Sequence, residues 1–185
     1  WVYGRTFSTN FPVTEFAYDT THNGNADLFV TKLDSNGFMM ASTYLGGADH
    51  DGIIFRGGFG QPRSSRLYLN YGDDARGEID LDDRGNCYIA TVTASQDFPI
   101  AKILPVKSFS GGLDACIAKL NNDLSELLWS SYFGGSQDDA VVSIAIEEED
   151  KLFITGTTMS ADFPVTSQAA NPVFQGVMDC FVASL

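Results

Sequence analysis

Three segments of the chain share one pattern of apolar and polar positions: Asp27-Leu-Phe-Val-Thr-Lys-Leu33, Asp114-Ala-Cys-Ile-Ala-Lys-Leu120 and Asp179-Cys-Phe-Val-Ala-Ser-Leu185. Each opens on an aspartate, is apolar on both faces and has a polar position near its end. Such a run predicts a β-strand covered on both sides. Two runs of a second kind, Ser42-Thr-Tyr-Leu-Gly-Gly47 and Ser130-Ser-Tyr-Phe-Gly-Gly135, predict strands stopped by paired glycines that permit a turn with φ above zero. Residues 78–81 and 87–93 supply two further strands, residues 142–146 and 152–157 supply two more, and Asp83-Arg-Gly-Asn86 carries hairpin-turn chemistry between the first pair.

These runs recur in phase. Asn10-Phe11-Pro12, Asp97-Phe98-Pro99 and Asp162-Phe163-Pro164 are each followed by a strand-opening aspartate at one distance: 27 − 11, 114 − 98 and 179 − 163 all equal 16. The second and third copies stay in step at 138 − 73 = 65 residues, so that Asp73-Asp74-Ala75 matches Asp138-Asp139-Ala140, Ile79 matches Ile144 and Ile89 matches Ile154. Four short antiparallel strands per unit, repeated in tandem and apolar on both faces, predict an all-β chain of β-propeller blades. The alternative is a β-sandwich, which buries one face of each sheet and calls for cleaner alternation. The units span approximately 1–78, 79–143 and 144–185 within one region, 1–185. The chain is expected to hold about two and a half blades where closure takes at least about four, so it belongs to a longer protein or completes its ring with other chains.

Composition narrows the classes of partner. With 11 basic and 24 acidic side chains the net charge is −13, which disfavours nucleic acid and anionic membranes, both of which call for clustered lysine and arginine. The bland reading of this acidity is a solvated surface. No apolar run is long enough to span a membrane. Trp1-Val2-Tyr3-Gly4 already looks like a strand, so no signal peptide is expected within this sequence. Cys87, Cys116 and Cys180 lie in apolar strands without metal-ligand spacing and are expected as buried thiols.

The series Asp-Phe-Pro-Val-Thr, Asp-x-Phe-Val-x-Lys-Leu, Ser-Thr-Tyr-Leu-Gly-Gly, Asp-Asp and Gly-Asn-x-Tyr-Ile resembles the SBBP-type bacterial β-propeller repeat family, over nearly the whole chain outside one insertion. The resemblance implies a secreted or cell-surface location, in some members an association with gliding motility or adhesion, and no enzymatic activity. Asn10 in place of Asp, and Asp150-Lys151 in place of Gly-Asn, depart from the pattern at turn positions.

The insertion is the one irregularity. The glycine pair is followed by an Asp-Asp pair after 73 − 47 = 26 residues in one unit and after 138 − 135 = 3 in the next, an excess of about 23. An inserted hairpin, 48–70, is expected, presenting Arg56, Phe59, Arg63 and Arg66, with Tyr71 beside it, as a partner-binding feature on an acidic protein. The bland alternative is that the hairpin extends its own sheet and its arginines pair with the protein's carboxylates.

Other chemistry is weaker. Asp49-His50-Asp51 could bind a cation, but neither a second histidine nor a cysteine lies at ligand spacing. Asp80, Asp82 and Asp83 faintly resemble a calcium loop, yet Arg84 fills a ligand position, and a hairpin turn explains the segment better. Asp27, Asp114, Asp179, Asp74 and Asp139 recur from unit to unit, whereas an active site is usually singular; they are expected to be structural, accepting backbone hydrogen bonds in turns. Trp129 sits in an apolar strand and is expected in the core. No catalytic residue, metal or cofactor is expected. The leading expectation is a non-catalytic scaffold contacting another protein or further blades. The alternatives are a glycan-binding or adhesive module using Phe59, Tyr71 and Arg63, and, further down, a glycan-cleaving enzyme, which needs two carboxylates about 5 to 10 Å apart.

Overall fold

A computed structural model describes residues 1–53, 67, 77–101, 108–148 and 151–185. All regular structure among these residues is β: β1 (Val2–Thr6), β2 (Asp27–Leu33), β3 (Met39–Leu45), β4 (Glu78–Leu81), β5 (Cys87–Thr93), β6 (Asp114–Leu120), β7 (Leu127–Phe133), β8 (Asp139–Glu148), β9 (Lys151–Thr158) and β10 (Asp179–Ser184). They form three antiparallel sheets, in the order β1-β2-β3, β4-β5-β6-β7 and β10-β9-β8. Four strands are thus present in the second sheet and three in each of the others. Among the described residues no helix is long and apolar enough to cross a membrane.

The sheets are built in one register. Ile79 pairs with Ile89 in the second sheet as Ile144 pairs with Ile154 in the third, and Leu81 faces Cys87 as Ile146 faces Leu152. Cys116 faces Tyr132 as Phe29 faces Tyr44. Hairpins close on aspartate: Asp34 Oδ1 accepts the Phe38 N–H at 2.9 Å, and Asp82 Oδ1 accepts the Asn86 N–H at 2.8 Å, with Gly37 and Gly85 at φ 83° and 77°. A backbone there must turn left-handed, which glycine does at little cost.

The core explains why β5 and β6 are apolar throughout. Cys87, Ile89, Cys116, Ala118 and Leu120 pack with Leu28, Val30 and Leu45 of the first sheet. Tyr88, Ala90, Ala115 and Ile117, which alternate with them, pack with Val141, Ile144, Leu152 and Ile154 of the third. Every residue of β5 and β6 is buried. The second sheet therefore hides both faces, and each fully buried aliphatic side chain contributes about 1.5–3 kcal/mol. Cys87 and Cys116 lie in this core, where burial pushes both thiols up, Cys87 to about 12. Cys180 departs from expectation: it stands on β10, at the edge of the third sheet, and is exposed.

Candidate functional site

The chemistry concentrated in this chain lies where one sheet hands over to the next. After β3 the backbone runs through Gly46 and Gly47, and Asp51 turns back on it: its Oδ2 accepts the Gly47 N–H at 2.8 Å. After β7 the same move recurs, with Asp139 Oδ2 accepting the Gly135 N–H at 2.7 Å. Both loops then bind the segment that follows the second long strand of the next sheet. Ala48 N–H donates to Asp97 Oδ1 at 2.8 Å and Asp49 N–H to Ser95 Oγ at 3.0 Å. Ser136 N–H donates to Asp162 Oδ1 at 2.8 Å and Gln137 N–H to Ser160 Oγ at 2.9 Å. The serine hydroxyls close each latch, Ser95 Oγ donating to Asp51 Oδ2 at 3.1 Å and Ser160 Oγ to Asp139 Oδ2 at 2.8 Å.

The paired glycines are used differently from the expectation of a left-handed turn. Among the described glycines only Gly37, Gly52 and Gly85 have positive φ. Gly47 and Gly135 are required by close approach: a Cβ on Gly47 would stand 2.6 Å from Asp97 Oδ1, and one on Gly135 would stand 2.5 Å from Asp162 Oδ1. The next sheet's aspartate occupies the space a side chain would need.

The strand-opening aspartates form the other half of each joint. Asp27, Asp114 and Asp179 each accept the N–H of the residue four positions earlier, from Asn23 at 2.8 Å, Ser110 at 2.8 Å and Gln175 at 2.7 Å. Asp27 and Asp51 flank the same glycine: a Cβ on Gly46 would be 2.7 Å from Asp51 Oδ2 and 3.0 Å from Asp27 Oδ1. Both carboxyl groups are fully buried, as is that of Asp139, and Asp114 is nearly so. Burial pushes Asp51 up to about 7 against the hydrogen bonds from Thr93, Gly47 and Ser95, with the neighbouring Asp27 charge adding to the rise. Burial likewise raises Asp114 to about 6, and raises Asp27 and Asp139. Asp27 Oδ1 and Asp139 Oδ1 lack a hydrogen-bond partner among the described residues. A buried acceptor oxygen without a donor disfavours the charged carboxylate, in the same direction as the burial.

Of the partner-binding candidates, Arg56, Phe59, Arg63, Arg66 and Tyr71 lie outside the described residues, as does Asp74. The contacts that Asp139 makes in the second joint belong to Asp51 in the first. Asp51 N–H donates to Ala26 O at 2.8 Å as Asp139 N–H does to Leu113 O at 2.8 Å. The extra residues follow Asp51: from there to Glu78 the chain takes 78 − 51 = 27 residues, whereas Asp139 reaches Ser143 in 143 − 139 = 4, an excess of 23. The signal that finds Asp51 is the spacing from the second glycine, 51 − 47 = 139 − 135 = 4.

The remaining candidates fall into turns and contacts. Asp82 accepts from Arg84 and Asn86 and meets Lys119 Nζ at 3.4 Å, with both side chains buried. Burial opposes its ionisation, but the Asn86 hydrogen bonds and the Lys119 ammonium hold it below the usual carboxylate range. Trp129 is half-buried, edge-on to Tyr88 at 5.9 Å. No group of three or more His, Cys, Asp or Glu among the described residues is placed to hold a metal ion. No protein-family model matches the chain, and no curated protein matches it.

Proposed function

We propose that this chain is a non-catalytic β-propeller scaffold, secreted or carried on a bacterial cell surface, whose work is to hold other proteins. The observation that carries the reading is the duplicated joint, the same glycine–aspartate latch closing on the same serine and aspartate at both sheet-to-sheet steps. Successive blades of a propeller stack face to face, so an inner blade is apolar on both sides; the doubly buried second sheet supports that architecture over a sandwich. The acidic carboxyls engaged in the latches serve structure, which supports a binding role over acid–base chemistry. The SBBP resemblance supports the surface location.

In this reading the inserted arginines, Arg56, Arg63 and Arg66, supply the contact to a protein partner. The test is capture of envelope proteins on the immobilised chain, compared with an Arg56→Ala, Arg63→Ala, Arg66→Ala variant. The expected result is loss of a specific captured protein at an unchanged thermal midpoint. Equal capture by both would remove this role for the insertion.

A further inference from the structure

One loop of the first unit carries chemistry that its counterparts lack. Asp19-Thr-Thr-His-Asn-Gly-Asn-Ala-Asp27 leads into β2 and places Asp19, Thr21, Asn23, Asn25 and Asp27 at alternate positions, with Gly24 sixth. That is the spacing by which a calcium loop presents oxygens to one centre: side chains first, third and fifth, glycine sixth, a main-chain carbonyl seventh and a further ligand ninth. The loops that lead to Asp114 and Asp179 keep the glycine, as Gly111 and Gly176. Where the first loop has Asp19, Thr21 and Asn23, the second has Val106, Ser108 and Ser110, and the third has Asn171, Val173 and Gln175. The glycine and the last aspartate thus belong to the repeated joint, whereas the leading carboxylate occurs in one loop of the three.

The fold gathers these side chains together. Asp19 is pinned to β3 by its backbone, its N–H donating to Thr43 Oγ1 at 2.9 Å and its carbonyl accepting the Tyr44 N–H at 3.1 Å. Its Oδ1 accepts from Thr21 Oγ1 at 2.8 Å and its Oδ2 from Asn23 Nδ2 at 2.5 Å, while Thr21 Oγ1 lies 3.1 Å from Asn23 Oδ1. Oxygens that share a cation at about 2.3–2.6 Å stand about 3 Å apart, so these atoms are already spaced as neighbours in a coordination shell. At the inner end Asp27 Oδ2 accepts the Asn23 N–H at 2.8 Å. A separate observation concerns the other oxygen of that carboxyl: Asp27 is fully buried, and its Oδ1 lacks a hydrogen-bond partner among the described residues. The Asp19 charge adds to the cost of ionising it. Two carboxylates held close, one of them buried and short of a donor, are relieved together by one cation. Thr21 and Asn23 are exposed, so the outer side is open to water.

We propose that the loop from Asp19 to Asp27 is a calcium site, in which Asp19, Thr21, Asn23 and Asp27 supply side-chain oxygens, Asn25 its carbonyl oxygen, and water the rest. The donors are all oxygen, with neither nitrogen nor sulfur, which suits a hard cation and not zinc or copper. Only two of them are charged, which puts the affinity at the weak end for calcium loops, a Kd on the order of 10⁻⁴–10⁻³ M. The loop also leans on the first joint: a Cβ on Gly24 would stand 2.4 Å from Gly47 O, and Asn25 Nδ2 donates to Asp49 Oδ1 at 3.2 Å. The ion therefore braces the glycine–aspartate latch from outside as well as tying β2 to β3. The site does not depend on the scaffold reading.

The test is titration of the EDTA-treated full chain with calcium chloride, read by calorimetry and by the thermal midpoint. One equivalent per chain is expected, saturating below about 10 mM, with a higher midpoint when calcium is bound. Asp19→Asn keeps the backbone contacts to β3 and should bind at least about tenfold more weakly, at an unchanged calcium-free midpoint. Asn23→Ala should weaken binding about threefold to tenfold, the worth of one neutral ligand. Asp83→Asn removes the same charge from an exposed position between β4 and β5 and should bind calcium as the parent does. Magnesium should bind at least about tenfold more weakly, because it demands a tighter and more regular shell. No saturation up to about 10 mM, parent-like binding by both loop variants, equal weakening by Asp83→Asn, or magnesium bound as tightly as calcium overturns the proposal. The triple arginine variant should bind calcium unchanged, so the ion site and the inserted arginines fail separately.

Discussion

The two joints use the same latch and then part. In the second, Asp139 opens β8, which pairs with β9 from Asp139 opposite Thr158 through to Glu148 opposite Lys151. In the first, Asp51 meets Thr93 as an isolated bridge, and the next pairing along β5 among the described residues is Glu78 opposite Ala90. Gly52, with φ 74°, donates its N–H to Val92 O at 2.7 Å, and a Cβ there would stand 2.6 Å from Leu28 Cδ2. Its counterpart is Ala140, inside β8. The first half of the latch, the aspartate that accepts the glycine N–H, thus lies within four residues of the glycine pair. An insertion of 23 residues after Asp51 leaves the spacing from the glycine pair to the aspartate unchanged, while Ser95 and Asp97, which complete the latch, are supplied by the sheet beyond it.

The largest effect is expected from filling the space beneath the glycines. Gly135→Ala places a Cβ 2.5 Å from Asp162 Oδ1 and 2.6 Å from Ser160 Cβ, and relief means moving one sheet against another. A loss of about 2–4 kcal/mol in urea unfolding is expected, and a similar loss for Gly47→Ala. If the joints are equivalent the two losses agree within about 1 kcal/mol. A negligible effect at Gly47 alone would show that the first joint yields where the second does not.

Next in size is a dependence on pH. Asp51 ionises near 7 in the folded chain and near 3.8 when unfolded, so the folded state binds more protons between those values. Stability from this group is full below about 4 and is lost as pH rises through about 7. The change is up to roughly 4 kcal/mol, at about 1.4 kcal/mol for each pKa unit. Asp114 acts in the same direction over a narrower window, up to about 6. Urea midpoints measured from pH 4 to 8 should fall, and Asp51→Asn should flatten that fall up to about pH 7, while Asp114→Asn flattens only the part below about 6. A midpoint that rises across this range would contradict the buried, protonated joint.

What could be read from the residues was whatever repeats at fixed spacing. The apolar strands opening at Asp27, Asp114 and Asp179 are strands in the structure, and the excess of 23 residues is the same number counted either way. The position of the excess was harder. Matching Asp138-Asp139 to Asp73-Asp74 uses identity of side chains, while Asp49-His50-Asp51 stands at the correct distance from the glycines with a histidine in the middle. His50 occupies the place of Asp138: its carbonyl accepts the Ala94 N–H at 2.8 Å, and the Asp138 carbonyl accepts that of Met159 at 2.9 Å. That shared contact uses backbone, so it survives the change of side chain even though Asp138 Oδ1 also accepts the Leu113 N–H at 3.1 Å, and sequence identity is a poor guide to the position. The role of the glycine pair was hidden for a related reason, since the atoms that exclude a side chain belong to the next sheet, about 50 residues away in the case of Asp97 (97 − 47 = 50).

Lys32 and Lys119 sharpen the comparison at its small end. They stand at the same place in β2 and β6, five residues after the opening aspartate (32 − 27 = 119 − 114 = 5). Lys119 is sealed between the sheets, 3.4 Å from Asp82 and 4.7 Å from the centre of the Tyr88 ring. Lys32 lies over Trp1 at 5.1 Å and reaches the side chain and carbonyl of Asn122 at the sheet margin. Lys119→Met strands a buried carboxylate and should cost about 3 kcal/mol, whereas Lys32→Met removes a hydrated contact and should cost less than about 1 kcal/mol. A Lys119→Met, Asp82→Asn double variant should recover part of the larger loss, because the uncompensated charge is then gone. Equal losses at the two lysines would mean that the margin of the interface between the first and second sheets is as well covered at Lys32 as the interface between the second and third sheets is at Lys119.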